Sequence, residues 1–169
     1  MTSSTLRVPT SRALKAGVSG AALAVGAAVA LVAGTPAEAG APSKRVLSTE
    51  DAPAAIGPYS QGIAAGNTVY VSGQLPIDPA VGSIDHSESI AEQTAHSIEN
   101  IEAVLEEANL ELDNVVSTTV YLADMTTFAQ FNAVYAEHFG TEAAPARATV
   151  EVAELPQGAK VEISAIAVK

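Results

Sequence analysis

Cysteine and tryptophan are absent from this chain of 169 residues, and cations are scarce. Without cysteine there are no disulfides and no thiolate metal sites. Without tryptophan, and with only 4% aromatic residues, the core must come from Val, Ile, Leu and Ala. Eight Lys and Arg stand against 19 Asp and Glu, a net charge of −11. Such a surface repels phosphate backbones and anionic membranes. No basic patch or aromatic stacking platform stands out, so nucleic-acid binding is disfavoured. His86, His96 and His138 lack metal-ligand spacing, and surface positions are expected for them. A nucleophile elbow, a phosphate-binding glycine loop and a dinucleotide fingerprint are all missing. No lysine is placed for a Schiff base. The remaining expectation is chemistry without metal or cofactor, and undemanding in energy.

The N-terminus is read apart from the rest. Arg7, Arg12 and Lys15 form a basic region without acids, and Ala16 to Gly34 is an uncharged Ala/Val/Leu/Gly run. Ala37-Glu38-Ala39 then offers a small-x-small cleavage pattern. These features predict an export signal over residues 1–39, cut before Gly40, and a secreted or periplasmic product with no stable membrane association. An uncleaved anchor is the alternative, because the run approaches the ~18–20 residues that span a bilayer. Its Ala and Gly content makes it only weakly hydrophobic. Residues 40–169 have the size of one ordinary domain. They hold five cations against 18 acids, a net charge of −13.

Along that domain, Val46-Leu47 suggests a first edge strand within Ala41–Glu50. Asp51 to Gly62 carries too much Pro and Gly for regular structure and reads as an ordered loop. Asn67 to Gly73 is a strand, and Asp78-Pro79-Ala80-Val81-Gly82 is turn chemistry. Ser89 and Glu92 are spaced as a capping box that opens a helix to Leu110, with one apolar stripe. Val115 to Leu122 is strongly β-forming, with Val116, Thr118, Val120 and Leu122 on one face. Asp124 caps a second helix that Gly140 ends, with Phe128, Phe131, Tyr135 and Phe139 on its buried side. Strands at Arg147–Val152 and Lys160–Val168 follow. The order β-β-α-β-α-β-β predicts an α+β domain, a mixed sheet with both helices on one face. Other subunits are expected to cover the opposite face if it is apolar.

Arg147 is the residue most in need of a reason. Strand alternation points Arg147, Thr149 and Glu151 one way. Either Arg147 pairs with Glu151 or another surface acid, or its planar fork takes a small carboxylate from outside, which a lysine does less well. Glu162, between Val161 and Ile163, either faces solvent or orients and deprotonates water. A turn at Leu155–Gly158 suggests that the two end strands form an antiparallel hairpin, with Glu162 near Thr149. Tyr59 offers a phenol from a rigid loop, or is a half-buried core tyrosine. Asn132 is a helical asparagine whose default is exposure. Ser72-Gly73 ends a strand, and Gly73 lets backbone approach a ligand, unless it is a plain turn.

Five stretches taken in order resemble the Rid (YjgF-like) family of reactive intermediate deaminases. They are Ala54-Ala-Ile-Gly-Pro-Tyr-Ser-Gln-Gly62, Ser72-Gly-Gln-Leu-Pro76, Phe131-Asn-Ala-Val-Tyr135, Pro145-Ala-Arg147 and Val161-Glu-Ile163, spread over Val46 to Val168. The resemblance implies a chorismate-mutase-like fold and a homotrimer with active sites between subunits. It also implies cofactor-free hydrolysis of imino and enamine acids, such as 2-aminoacrylate, 2-iminopropanoate and 2-iminobutanoate, to 2-oxo acids and ammonia. Carried over by motif, Arg147 binds the substrate carboxylate, and Glu162 and the backbone carbonyl of Thr149 hold the attacking water. Tyr59, Ser72, Gly73 and Asn132 line the pocket. Many relatives have Cys where this chain has Thr149, so thiol redox behaviour is excluded here. An exported chain also departs from a family that works mostly inside the cell. A binding protein that keeps the carboxylate pocket without turnover is the alternative.

Overall fold

Six strands and two helices make up the domain: β1 (Lys44–Leu47), β2 (Gly62–Ala65), β3 (Thr68–Gln74), α1 (Ile90–Glu106), β4 (Val115–Leu122), α2 (Phe128–Phe139), β5 (Ala146–Glu151) and β6 (Val161–Val168). The structure is a computed structural model that describes residues 43–169. The export signal expected over 1–39 lies outside the described residues.

The expected α+β class holds, with one strand more. β2 is four residues, Gly-Ile-Ala-Ala. One β-branched side chain is too little local signal for a strand. Pairing with β1 on one side and β3 on the other supplies what propensity does not.

The strands lie in the order β1-β2-β3-β6-β4-β5. All neighbours are antiparallel except β4 and β5, which run parallel. The expected hairpin of the last two strands is therefore not formed, because β4 lies between them. A helix must carry the chain back before a parallel strand can pair, and α2 does this between β4 and β5. The chain then crosses through a short 3₁₀ turn, Pro156–Gly158, to the other edge of β4. β3 and β6 occupy the sheet centre, and the Val-rich β4 lies between β6 and the edge strand β5.

Both helices cover one face. Thr118, Val120 and Leu122 of β4, with Val161, Ile163, Ala165 and Ala167 of β6, are buried on it beneath Ile98, Ile101 and Leu105 of α1 and Phe131 and Tyr135 of α2. Val116 does not join them. β4 has one residue more than β6 between Val115 and Ser117, and this bulge turns Val116 out to 44% exposure while Val115 takes the core position. The capping box forms as read: Ser89 Oγ accepts from Glu92 N–H, and the Glu92 carboxylate accepts from Ser89 N–H. Asp124 caps a 3₁₀ turn, Met125–Thr127, that leads into α2. Gly140 ends that helix with φ 67.

Among the described residues, no helix covers the other face. Tyr70, opposite Ile166, is 49% exposed there, and Val150, opposite Tyr121, is 44% exposed.

Candidate active site

Arg147 lies on the helix-covered face of β5, the outermost strand. Its register partner is Thr118, whose buried hydroxyl shares a 2.7 Å hydrogen bond with Tyr135 Oη. The guanidinium carbon sits 4.4 Å from the Tyr135 ring centre, 5.4 Å from Phe131 and 5.7 Å from Phe128. One guanidinium nitrogen donates to Asn132 Oδ1 at 2.7 Å. The helical asparagine is thus a clamp, not an idle surface residue. Among the described residues, no carboxylate lies within 4.0 Å of Arg147, and the one ion pair is His96 with Glu88. Glu151 instead accepts from Met125 N–H at 2.7 Å and anchors the start of the turn before α2. The surface-pair explanation of Arg147 is corrected accordingly. The charge is held by an amide and aromatic rings, with no counterion among the described residues.

Thr149 points to the same face, and its Oγ1 is buried without a hydrogen-bond partner. Its main chain faces elsewhere. Val152 N–H donates to Leu122 O at 2.9 Å, so Val152, Val150 and Ala148 turn their backbone toward β4. By strand alternation, Thr149 turns its carbonyl to the free edge of the sheet.

Glu162 belongs to the opposite face. It is in register with Tyr121, which is in register with Val150. The expected approach of Glu162 to Thr149 therefore fails: β4 separates them, and they point away from each other. Between Val71 and Gln74, β3 has one residue more than β6 has between Ala165 and Ile163. This bulge places Ser72 and Gly73 beside Glu162. A Cβ built on Gly73 would stand 1.8 Å from Glu162 Oε1. Burial pushes the Glu162 carboxyl above its ordinary value.

Tyr59, Ser72, Gly73 and Glu162 share one cleft of about 320 Å³, walled otherwise by Ile56, Leu75 and Pro156. Four of the expected residues are thus together. Arg147 and Asn132 are together at a second place. Tyr59 is 49% exposed, and its Oη accepts from Ile56 N–H at 3.2 Å, which closes the loop on itself. Ser72 Oγ donates to the carbonyl of Ser60 at 2.7 Å, so the hydroxyl ties the bulge to that loop.

Gln61 carries no signal in the sequence that sets it apart. Buried, it donates through Nε2 to the carbonyls of Thr49, Ala52 and Pro53 and accepts from Thr49 N–H at 2.8 Å. It moulds the irregular loop that carries Tyr59. The aromatic bed under Arg147 is, in the sequence, visible only as the buried side of α2. Its signal was the spacing 128, 131, 135 in a chain poor in aromatics. Among the described residues, no three His, Asp or Glu converge as metal ligands.

The family described as Endoribonuclease L-PSP matches residues 49–169. A RutC family protein of Pyrococcus abyssi is 53% identical over 127 residues, 75% of this chain and 98% of the relative. The 2-iminobutanoate/2-iminopropanoate deaminase of Salmonella typhimurium is 46% identical over 127 residues, 74% and 98% of the two chains. The solved YjgF gene product of Escherichia coli superposes with a TM-score of 0.68 at 44% identity, over 74% of this chain and 98% of that one. Its fold, its motifs in their places and these relatives together make this chain a member of the Rid (YjgF-like) family.

Proposed function

We propose that the protein hydrolyses small 2-imino and enamine acids to 2-oxo acids and ammonia, in a site completed by two copies of the chain. The observation that carries this is Arg147, clamped by Asn132 and free of any carboxylate among the described residues. A planar cation in that state suits a small carboxylate, which it takes through two parallel hydrogen bonds. Arg147 and Glu162 are on opposite faces of one sheet, so one copy does not offer both to one ligand. A homotrimer, in which the bare face of one copy meets the β5 edge of the next, brings them together. That face exposes Tyr70 and Val150, apolar surface suited to a subunit contact.

The reaction needs little beyond placement. An iminium carbon is already electrophilic, so fixing the carboxylate at Arg147 and a water near Glu162 supplies most of the acceleration. The Thr149 carbonyl accepts one water proton as a hydrogen bond, and Glu162 removes the other as the oxygen attacks the iminium carbon. The carbinolamine nitrogen then takes that proton back from Glu162. Its C–N bond breaks as the electrons of the hydroxyl oxygen form the carbonyl, the ammonia released takes the hydroxyl proton, and 2-oxo acid and ammonium depart. A carboxyl raised by burial suits this exchange, since it takes and returns a proton more readily near neutrality. An enamine substrate such as 2-aminoacrylate enters by protonation of its terminal carbon, which gives 2-iminopropanoate. Tyr59, Ser72 and Gly73 shape the cleft around the reacting end.

The test is a coupled assay of 2-iminopropanoate hydrolysis, with the molar mass read by light scattering. Trimeric protein whose rate collapses in Arg147→Ala supports the reading. Wild-type protein no faster than Arg147→Ala overturns it. Calorimetric binding of small 2-oxo acids that requires Arg147, without turnover, identifies a carboxylate-binding protein instead. Cleavage of RNA is disfavoured by the net charge of −13 over residues 40–169. The setting we propose is extracytoplasmic, after removal of residues 1–39; the mass of the product recovered outside the cytoplasm checks it.

A further inference from the structure

We infer that Tyr135 is the positioning residue of Arg147, its ring being the platform that fixes where the guanidinium presents its free edge. The inference rests on the role proposed above for Arg147. Three contacts carry it. The Tyr135 ring is the nearest of the three aromatic rings to the guanidinium carbon, at 4.4 Å. That ring cannot drift: it is buried, its hydroxyl shares a 2.7 Å hydrogen bond with Thr118, and it packs on Phe131 and Phe139 at 5.6 and 4.5 Å between centres. Asn132 holds the guanidinium on one side only, through one nitrogen.

An arginine at an outer strand has several rotatable bonds and no counterion, so an amide alone leaves its plane free to tilt. A fixed aromatic face removes that freedom and attracts the cation through the ring quadrupole. Thr118, on the strand beside Arg147, and Tyr135, three residues after Asn132, tie strand and helix to the same ring. The platform therefore registers α2 against β5 where the carboxylate is to be held.

Three variants and two readouts test this. The first readout is the order parameter of the Arg147 Nε–H by ¹⁵N NMR, which needs no substrate. The second is the separation of KM from kcat for 2-iminopropanoate. Tyr135→Leu removes the platform, and the Nε–H is expected to become mobile, with KM raised about tenfold and kcat within about twofold. Tyr135→Phe keeps the ring and is expected to stay near wild type in both. Phe128→Ala removes only the outermost ring, which is partly exposed, and raises KM about threefold with the fold intact. If Tyr135→Leu does not fold, the wild type decides: an Arg147 Nε–H as mobile as that of a free surface arginine, with the Tyr135 ring still in place, then overturns the inference. An Arg147 as ordered in Tyr135→Leu as in wild type overturns it, as does a loss confined to kcat. Wild-type protein without Arg147-dependent hydrolysis overturns the proposed function instead, and the NMR readout still decides the platform.

Discussion

Glu162 occupies the space that a side chain at Gly73 would need: a Cβ there would lie 1.8 Å from Glu162 Oε1 and 2.8 Å from its carboxyl carbon. The pair is a fit of bulge to carboxylate. The extra residue in β3 opens the backbone, and glycine leaves room for the acid to lie against it.

Gly73→Ala is therefore expected to swing the Glu162 carboxylate out of the cleft. The flexible acid yields before the backbone, so folding survives. We expect kcat for 2-iminopropanoate to fall about 100-fold, the scale of a lost acid–base group. Binding of 2-oxo acids through Arg147 is expected to remain. A kcat within about threefold of wild type would contradict the fit.

Arg147→Lys keeps the charge and loses the planar fork. The ammonium stacks less well on Tyr135 and offers no parallel pair of donors to a carboxylate. KM is expected to rise about tenfold to 100-fold, with a smaller effect on kcat. Steady-state kinetics on 2-iminopropanoate checks this, and equal KM values for the two proteins would refute it.

The raised Glu162 carboxyl makes stability depend on pH with a defined sign. Between its unfolded value near 4.5 and its higher native value, the folded protein holds more protons than the unfolded chain. Stability at this residue is thus full below pH 4.5 and falls as pH rises through the native value. Glu162→Gln removes the charge that burial disfavours. Its Tm is expected to exceed that of wild type at pH 7–8, and the difference to vanish in acid. Calorimetric melting across that range reads the effect, and a Glu162→Gln protein less stable than wild type at pH 8 would contradict it.

Gln61→Leu removes four hydrogen bonds from a buried position and leaves loop carbonyls without their donor. Denaturant unfolding is expected to show a loss of about 2–4 kcal/mol. The Tyr59 loop should become sensitive to limited proteolysis first, and a loop as resistant as wild type would count against its dependence on Gln61.

Local pattern carried much of the fold. The capping box at Ser89, the stripe of α1, the aromatic face of α2 and the glycine stop at 140 each lie within a few residues, where propensity and periodicity act. What sequence did not show was pairing. β2 has no local strand signal because its stability comes from its neighbours. The hairpin expected after β5 failed because the turn at 156–158 looks alike whether it joins neighbouring strands or steps over one. The bulges at Val116 and at Ser72–Gly73 depend on the partner strand. The site divided along the same line. Arg147 stood out by the scarcity of cations, and Gly73 by its strand-end position. That Arg147 leans on Tyr135, and that Gly73 makes room for Glu162 beyond admitting a ligand, required three dimensions.

The placement of Arg147 and Glu162 on opposite faces of the sheet has a genetic reading. A chain with Arg147 replaced keeps its Glu162 face whole, and a chain with Glu162 replaced keeps its Arg147 edge. In the shared-site assembly proposed above, two such defective proteins, each inert alone, are expected to complement one another when they are unfolded and reassembled together. In such mixed assemblies some sites would draw both good halves from different parents. Loss of function here is then recessive in an unusual sense, because each lesion spares what the other destroys.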